Sequence, residues 1–524
     1  MNEEKKKIIK ALLERNILLS PDMIKEEMDL DELLALMEGK ADEDTITILS
    51  KEFKNILQTN KKENVNWEEL EKSKVMFEKH NEGRVYNKFI DSLNSVAQKE
   101  QEEEKDEQNS VKVVTSYHEE PKQRDVQDFV ALFNNRYKLI EKLMKSRPEL
   151  ENLTSISRIK KKREKEKSSI IGMILDKQTT KNGNLLFVIE DLTDTMPILV
   201  SKNKPELFNE ARNVVLDEII GITGVNGDNI LFVNNIIWPE TQQKEYKKQE
   251  EEEYCMFLSD MHVGSKLFLE ENFNKFLQWL NLELGDEKQK DIVKKMKYIF
   301  VMGDLIDGCG VYPGQESELA MLDVEEQYNK CAELLSKIPQ HIKIILSPGN
   351  HDALSIAEPQ PIFYKDFAKA IWELKNVTIV SNPALVNIGR TKTFQGFDVL
   401  IYHGYSFDYY VANVDSIREQ GGYDRADLIM KFLLKRRHLA PSYTSTPYIP
   451  DNKTDPLFIE KEPDFFVTGH IHKTAVSNYK GITLISGSCW QSKTPFQEKV
   501  GHHPEPCRVP LVNLKTREVK ILKF

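Results

Sequence analysis

Cysteine is scarce in this chain: five in 524 residues, at Cys255, Cys309, Cys331, Cys489 and Cys507. No two of them make a C-x-x-C pair, which argues against thiolate metal sites and against a disulfide framework. An apolar segment of signal-peptide type is missing after Met1-Asn2-Glu3-Glu4-Lys5, so the expectation is a protein of the reducing cytoplasm. Long apolar runs are missing as well; no stretch of 18 apolar residues occurs, and no helical membrane span is expected. Positive charge is in deficit, with 73 Lys and Arg against 84 Asp and Glu and a formal net charge of −11. That excludes a bulk coat for nucleic acid or for an anionic membrane, though not local basic patches.

The length calls for several domains. Residues 1–75 read as a small helical domain. Ile8, Ile9, Leu12 and Leu13 share one face and Leu18 and Leu19 close it, while Ser20-Pro21 starts a second helix that Gly39 stops. Partner docking and simple packing are equal alternatives for it. Residues 76–125 read as a charged flexible linker, since 98–108 is an almost unbroken polar run. From 126 to 245 a helix precedes an OB-type barrel. Its five short strands are Ile170–Leu175, Leu185–Ile189, Met196–Val200, Ile219–Thr223 and Ile230–Val233, with a helix-like stretch after the third. Asn182-Gly183 marks a hairpin turn, and Phe187 and Phe232 read as core. The basic run Arg158-Ile159-Lys160-Lys161-Lys162-Arg163 ahead of the strands reads either as a solvated loop or as a phosphate contact.

The region 250–524 carries the chemistry. Five apolar strands each end in a polar tip: Asp260-Met261-His262, Gly303-Asp304 with Asp307, Gly349-Asn350-His351-Asp352, His403-Gly404, and Gly469-His470-Ile471-His472. In open α/β sheets ligands gather beyond the carboxyl ends of strands, so one fold brings all five tips together. Helix-like stretches between them make the region layered α/β. Carboxylate, imidazole and amide donors without thiolate suit manganese, iron or zinc, with magnesium possible.

The ordered set D-x-H, G-D-x-x-D, G-N-H-D, H-G, G-H-x-H resembles the calcineurin-like metallophosphoesterases, whose fold is a layered β-sandwich flanked by helices. That resemblance implies two divalent metal ions, manganese before magnesium, iron or zinc. Asp260, His262, Asp304 and His472 would hold one, and Asp304 would bridge to a second held with Asn350, His403 and His470. It implies a catalytic role for His351, on the leaving oxygen, with Asp352 beside it. Asp307 and Asp352 would orient His351 and the ligands, shaping their turns being the competing role for both. His502 and His503 match no motif and read as solvated loop. The barrel followed directly by this domain resembles the B-subunits of replicative DNA polymerases, and the intact ligands resemble the small subunits of archaeal family D polymerases. This implies a 3′→5′ proofreading exonuclease acting on single-stranded or mismatched 3′ ends, alongside a large catalytic polymerase subunit. Lys435, Arg436 and Arg437 are candidate strand contacts, with a surface loop or a subunit contact as alternatives. The rival readings are a stand-alone phosphoesterase and a structural B-subunit with a vestigial site.

Overall fold

The computed structural model describes residues 17–19, 47–49, 110–118, 122–163, 165–451, 453–499 and 501–524. Its contacts divide the chain into Met1–Gln101 and Glu102–Phe524. In the first unit, strand β1 (Ile17–Leu19) pairs in parallel with β2 (Thr47–Leu49). Leu18 and Leu19 are therefore extended and not the end of a helix; the β-branched Ile17, Thr47 and Ile48 favour that state. The remainder of the helical domain expected over 1–75, and the linker up to residue 109, lie outside the described residues.

The second unit begins with a correction to the linker. Strand β3 (Val111–Ser116) pairs antiparallel with β13 (Ala384–Ile388) at the edge of a sheet. The run Val111-Lys112-Val113-Val114-Thr115-Ser116 is rich in β-branched residues, and such a run is extended once an edge is offered to it.

Helix α1 (Val126–Met144) starts at Asp125, whose side chain accepts from the Gln127 and Asp128 amides. Its buried face carries Leu132, Arg136, Tyr137, Ile140 and Met144. Next, β4 (Lys167–Thr179), β5 (Leu185–Glu190), β6 (Thr195–Val200), β7 (Ile219–Asn226) and β8 (Leu231–Ile237) close into a barrel in the order β4-β5-β6-β8-β7. Helix α2 (Pro205–Ala211), with proline in its first turn, follows the third strand. Phe187 is core at 1% exposure, but Phe232 is 47% exposed. The alternation along β8 buries Leu231 and Val233 and turns Phe232 outward, so the apolar run misled the expectation at that residue.

Two six-stranded sheets form the rest. One has the order β12-β11-β10-β9-β18-β19, built from β9 (Tyr254–Leu258), β10 (Met296–Met302), β11 (Lys343–Ser347), β12 (Val377–Ile379), β18 (Arg508–Asn513) and β19 (Val519–Lys523). The other has the order β16-β17-β15-β14-β13-β3, adding β14 (Phe397–Ile401), β15 (Phe465–Thr468), β16 (Ala475–Tyr479) and β17 (Ile482–Ser486). Phe257, Phe300, Val386, Val399, Phe465 and Ile485 belong to one apolar layer shared by strands of both sheets. Helices α3 (Glu270–Leu280) and α4 (Val324–Ser336) pack against the first sheet. Helices α5 (Phe407–Asn413) and α6 (Ala426–Arg436) pack against the second. Strands buried on both faces read as continuous apolar runs, which is why β9, β10 and β11 were visible in the sequence.

Arg436 and Arg437, candidate strand contacts, are buried at 3% and 4%. Arg436 pairs with Glu218 of the barrel and Arg437 with Glu462. Lys435 bonds Glu210 at 2.9 Å and lies over the Trp238 ring. Lys435 and Arg436 thus join barrel to phosphoesterase, while Arg437 is held within the phosphoesterase; burying an arginine requires a carboxylate partner, and that partner then occupies its donors. Of the run 158–163, Lys160 pairs with Asp194 while Arg158, Lys161 and Arg163 remain exposed. Among the described residues no helix is long and apolar enough to cross a membrane.

Candidate metal centre

The tips of β9, β10, β11, β14 and β15 converge. Asp260, His262, Asp304, His470 and His472 all adopt left-handed backbone, with φ between 50° and 68°. Such strain, of order 1–3 kcal/mol per residue, persists where surrounding structure holds a side chain to a task. Glycine is required between the tips. Gly303 has φ +85°, and a Cβ there would strike the His403 ring; at Gly469 it would strike Ser259 and Asp260.

One group gathers Asp260, His262 and His472, with the two imidazole Nε2 atoms 3.0 Å apart and Asp260 Oδ1 3.4 Å from His472 Nε2. A second gathers Asp304, Asn350, His403 and His470. His403 Nε2 lies 2.9 Å from Asn350 Oδ1 and 3.3 Å from Asp304 Oδ2, and His470 Nδ1 lies 3.0 Å from the same amide oxygen. Asp304 stands between the groups, its Oδ2 also 3.8 Å from His262 Nε2.

The donor chemistry fits divalent cations. His403 Nδ1 donates to the Met302 carbonyl at 2.8 Å, which leaves Nε2 as a lone pair. In the neutral ring that lone pair faces an amide oxygen at 2.9 Å and a carboxylate oxygen at 3.3 Å, so three acceptors meet. A cation resolves such a cluster. Without a cation a proton takes its place on Nε2: burial lowers the His403 pKa, yet Asp304 more than offsets it and raises the ring to about 10. Burial pushes the Asp304 carboxyl up, but the charges of His403 and His351 hold it well below the usual range.

His351 stands at the mouth. Its Nδ1 donates to the Asp307 carbonyl at 2.8 Å, and its ring meets His262 edge-on at 4.7 Å. Asp307 serves two rings, because its side-chain Oδ1 also accepts from His262 Nδ1 at 3.0 Å. Carboxylates placed behind metal-facing imidazoles fix ring orientation and tautomer in this way.

The Asp352 side chain bonds the backbone of the neighbouring tips. It is buried, accepts from Gly349 N at 2.9 Å and Leu305 N at 3.4 Å, and takes the Tyr328 hydroxyl at 3.3 Å. Burial, and then Asp304, raise its pKa to about 7. These bonds tie the tips of β10 and β11 together, as the turn-shaping alternative expects.

Several contacts were not visible in the sequence. Asp408, in the first turn of α5, lies 2.9 Å from His470 Nε2. Gln491 Nε2 donates to Asp307 Oδ1 at 3.0 Å, and Gln497, in α7 (Pro495–Lys499), lies 2.9 Å from His472 Nδ1. His502 is half-buried with its ring 3.9 Å from that of Tyr423, which corrects the solvated-loop expectation; His503 is exposed. No motif spacing marks any of these residues.

Residues 255–474 match the calcineurin-like phosphoesterase family model. Over 400 residues the chain is 36% identical to the DNA polymerase II small subunit of Methanothermobacter thermautotrophicus, covering 76% of this chain and 80% of that one. The chain belongs to the family of archaeal DNA polymerase II small subunits. Within that family it is 38% identical over 405 residues to the Pyrococcus furiosus protein, covering 76% of this chain and 64% of that one. The Methanocaldococcus jannaschii member is 38% identical over 392 residues, with 74% and 64% covered. The phosphoesterase domain of the family thus coincides with the converging tips.

Proposed function

We propose that the chain is the 3′→5′ proofreading exonuclease of a heteromeric replicative DNA polymerase, hydrolysing DNA phosphodiesters beside a large subunit that adds nucleotides. The observation that carries this reading is the full donor set with an unligated histidine at its mouth. Asp260, His262, Asp304 and His472 would hold one ion, and Asp304, Asn350, His403 and His470 the other. Manganese, iron or zinc suits this oxygen- and imidazole-rich set, and magnesium is the further candidate. Two ions held there would supply Lewis-acid activation of water and neutralise charge developing on the phosphate.

The chain's own residues do the rest. The side chains of Asp260, His262, Asp304 and His403 are at most 2% exposed, while His351 is 17%, His470 13% and His472 10% exposed. Substrate therefore approaches over these three imidazoles. With Nδ1–H engaged by Asp307, the Nε2 of His351 is the atom that passes a proton to the departing 3′ oxygen. Burial pulls the His351 pKa down, and an anionic phosphate beside the ring restores the imidazolium. The bond from phosphorus to that oxygen breaks as the bond to water oxygen forms, releasing a nucleoside 5′-monophosphate.

The test incubates the purified chain and Mn²⁺ with a 3′-mismatched primer–template, beside His351→Ala. Stepwise shortening from the 3′ end, lost in the variant, is expected. Failure to shorten DNA even with the large polymerase subunit added, or hydrolysis confined to a phosphomonoester such as p-nitrophenyl phosphate, would overturn the reading.

A further inference from the structure

His470 and His472 are neighbours in one tip, yet they are held from behind by different parts of the chain. His472 presents Nε2 to the centre, with Gln497 at its Nδ1 and the Glu505 amide on its carbonyl at 2.9 Å. His470 is turned the other way: Nδ1 faces the Asn350 oxygen at 3.0 Å, and Nε2 meets Asp408 Oδ2 at 2.9 Å. An imidazole can face a cation through Nδ1 only if its ring is held over, and the hydrogen on the opposite nitrogen then needs an acceptor. Asp408 is that acceptor. It is itself anchored, since the Tyr423 hydroxyl hydrogen-bonds it and the His502 ring packs on Tyr423.

We infer that Asp408 is a positioning residue for the second ion. It fixes His470 in the tautomer whose Nδ1 lone pair points to the centre, and Tyr423 with His502 holds the Asp408 carboxylate in place. The inference rests on the two-ion reading of the site. An ordinary surface ion pair is the rival: the Asp408 side chain is 47% exposed, and exposed pairs contribute little. Against it stands the geometry, because the partner of Asp408 is a ring whose other nitrogen already points into the donor cluster.

The experiment titrates Mn²⁺ into the metal-free full chain by isothermal calorimetry, for wild type, Asp408→Ala, Asp408→Glu and His470→Ala. Asp408→Ala should bind one ion as wild type does and the other roughly 10–100-fold more weakly, the usual cost of removing a carboxylate behind a ligating histidine. Asp408→Glu should recover part of the loss, and Asp408→Ala combined with His470→Ala should bind no worse than His470→Ala alone. Circular dichroism melts confirm that each variant is folded. Two unchanged affinities in Asp408→Ala, or a double variant weaker than His470→Ala, overturn the inference and leave the nuclease proposal intact. A wild-type chain that binds two ions but cuts no DNA with its large subunit overturns the nuclease proposal and leaves the role of Asp408 standing.

Discussion

Arg136→Ala removes the cation from a buried charge cluster that ties α1 to the phosphoesterase. Arg136 Nε lies 2.6 Å from Asp455 Oδ2 and Nη1 donates to the Pro441 carbonyl at 3.0 Å, while His438 Nε2 approaches the same Asp455 oxygen at 2.9 Å. Both side chains of the ion pair are 1% exposed. Removing one partner strands the other charge in a medium that solvates it poorly, which costs roughly 3–5 kcal/mol. His438 sets how that cost varies with pH. Burial, helped by the Arg136 charge, lowers its pKa to about 4, against roughly 6.5 in an unfolded chain. The wild type is therefore fully stabilised by the neutral ring above the unfolded value, and loses that stabilisation as pH falls towards 4. In Arg136→Ala one of the two causes is removed while burial remains, so the ring is less depressed and loses less stabilisation on acidification. The gap between the two proteins therefore narrows as pH falls. Urea unfolding followed at about pH 7.5 and about pH 5.5 should give the full cost at the first and a clearly smaller one at the second. A cost within the ~0.5 kcal/mol typical of surface substitutions, or a gap that widens on acidification, would refute the reasoning.

Asp307→Asn strips the charge from the carboxylate behind His262 but leaves the backbone anchor of His351; calorimetry should show one metal affinity weakened by roughly 10–100-fold, and an unchanged affinity would sink that role. Glu358 is buried, and burial raises its carboxyl from 4.5 to about 7. Its folded form thus prefers the proton, and wild-type stability falls as pH rises through that window. Glu358→Gln does not titrate and should gain on wild type by roughly 3 kcal/mol between pH 4.5 and about pH 8; a difference independent of pH in denaturation would count against it. Phe187→Ala should cost about 3–5 kcal/mol, whereas Phe232→Ser should stay within about 0.5 kcal/mol, and thermal melts that equate the two would contradict their opposite orientations.

Local chemistry made the donor set readable from the chain. Each donor follows a strand buried on both faces, and such a strand declares itself as an apolar run, with its tip marked by glycine and by the turn residues. The barrel was readable for the same reason: its five runs and hairpin signal are short-range features. Composition also determined what is absent from the donor cluster, since none of the cysteines occupies a motif tip.

Tertiary structure decided everything that depends on which surfaces meet. Asp408 looks like an ordinary acidic residue in the first turn of a helix, and only folding brings it across 62 positions to His470. Val111–Ser116 is compatible with a linker until the β13 edge pairs with it. Lys435-Arg436-Arg437 reads as a strand contact, a surface loop or a subunit contact, yet Glu210, Glu218 and Glu462 come from elsewhere in the chain to neutralise it. Asp352 and Asp307 are equivalent as letters in their motifs; backbone amides claim the first and an imidazole the second. Periodicity and turn chemistry act over a few residues and so are written in the chain. The choice of hydrogen-bond partner for a buried charge is made by desolvation once the layers close, and no short stretch of sequence contains it.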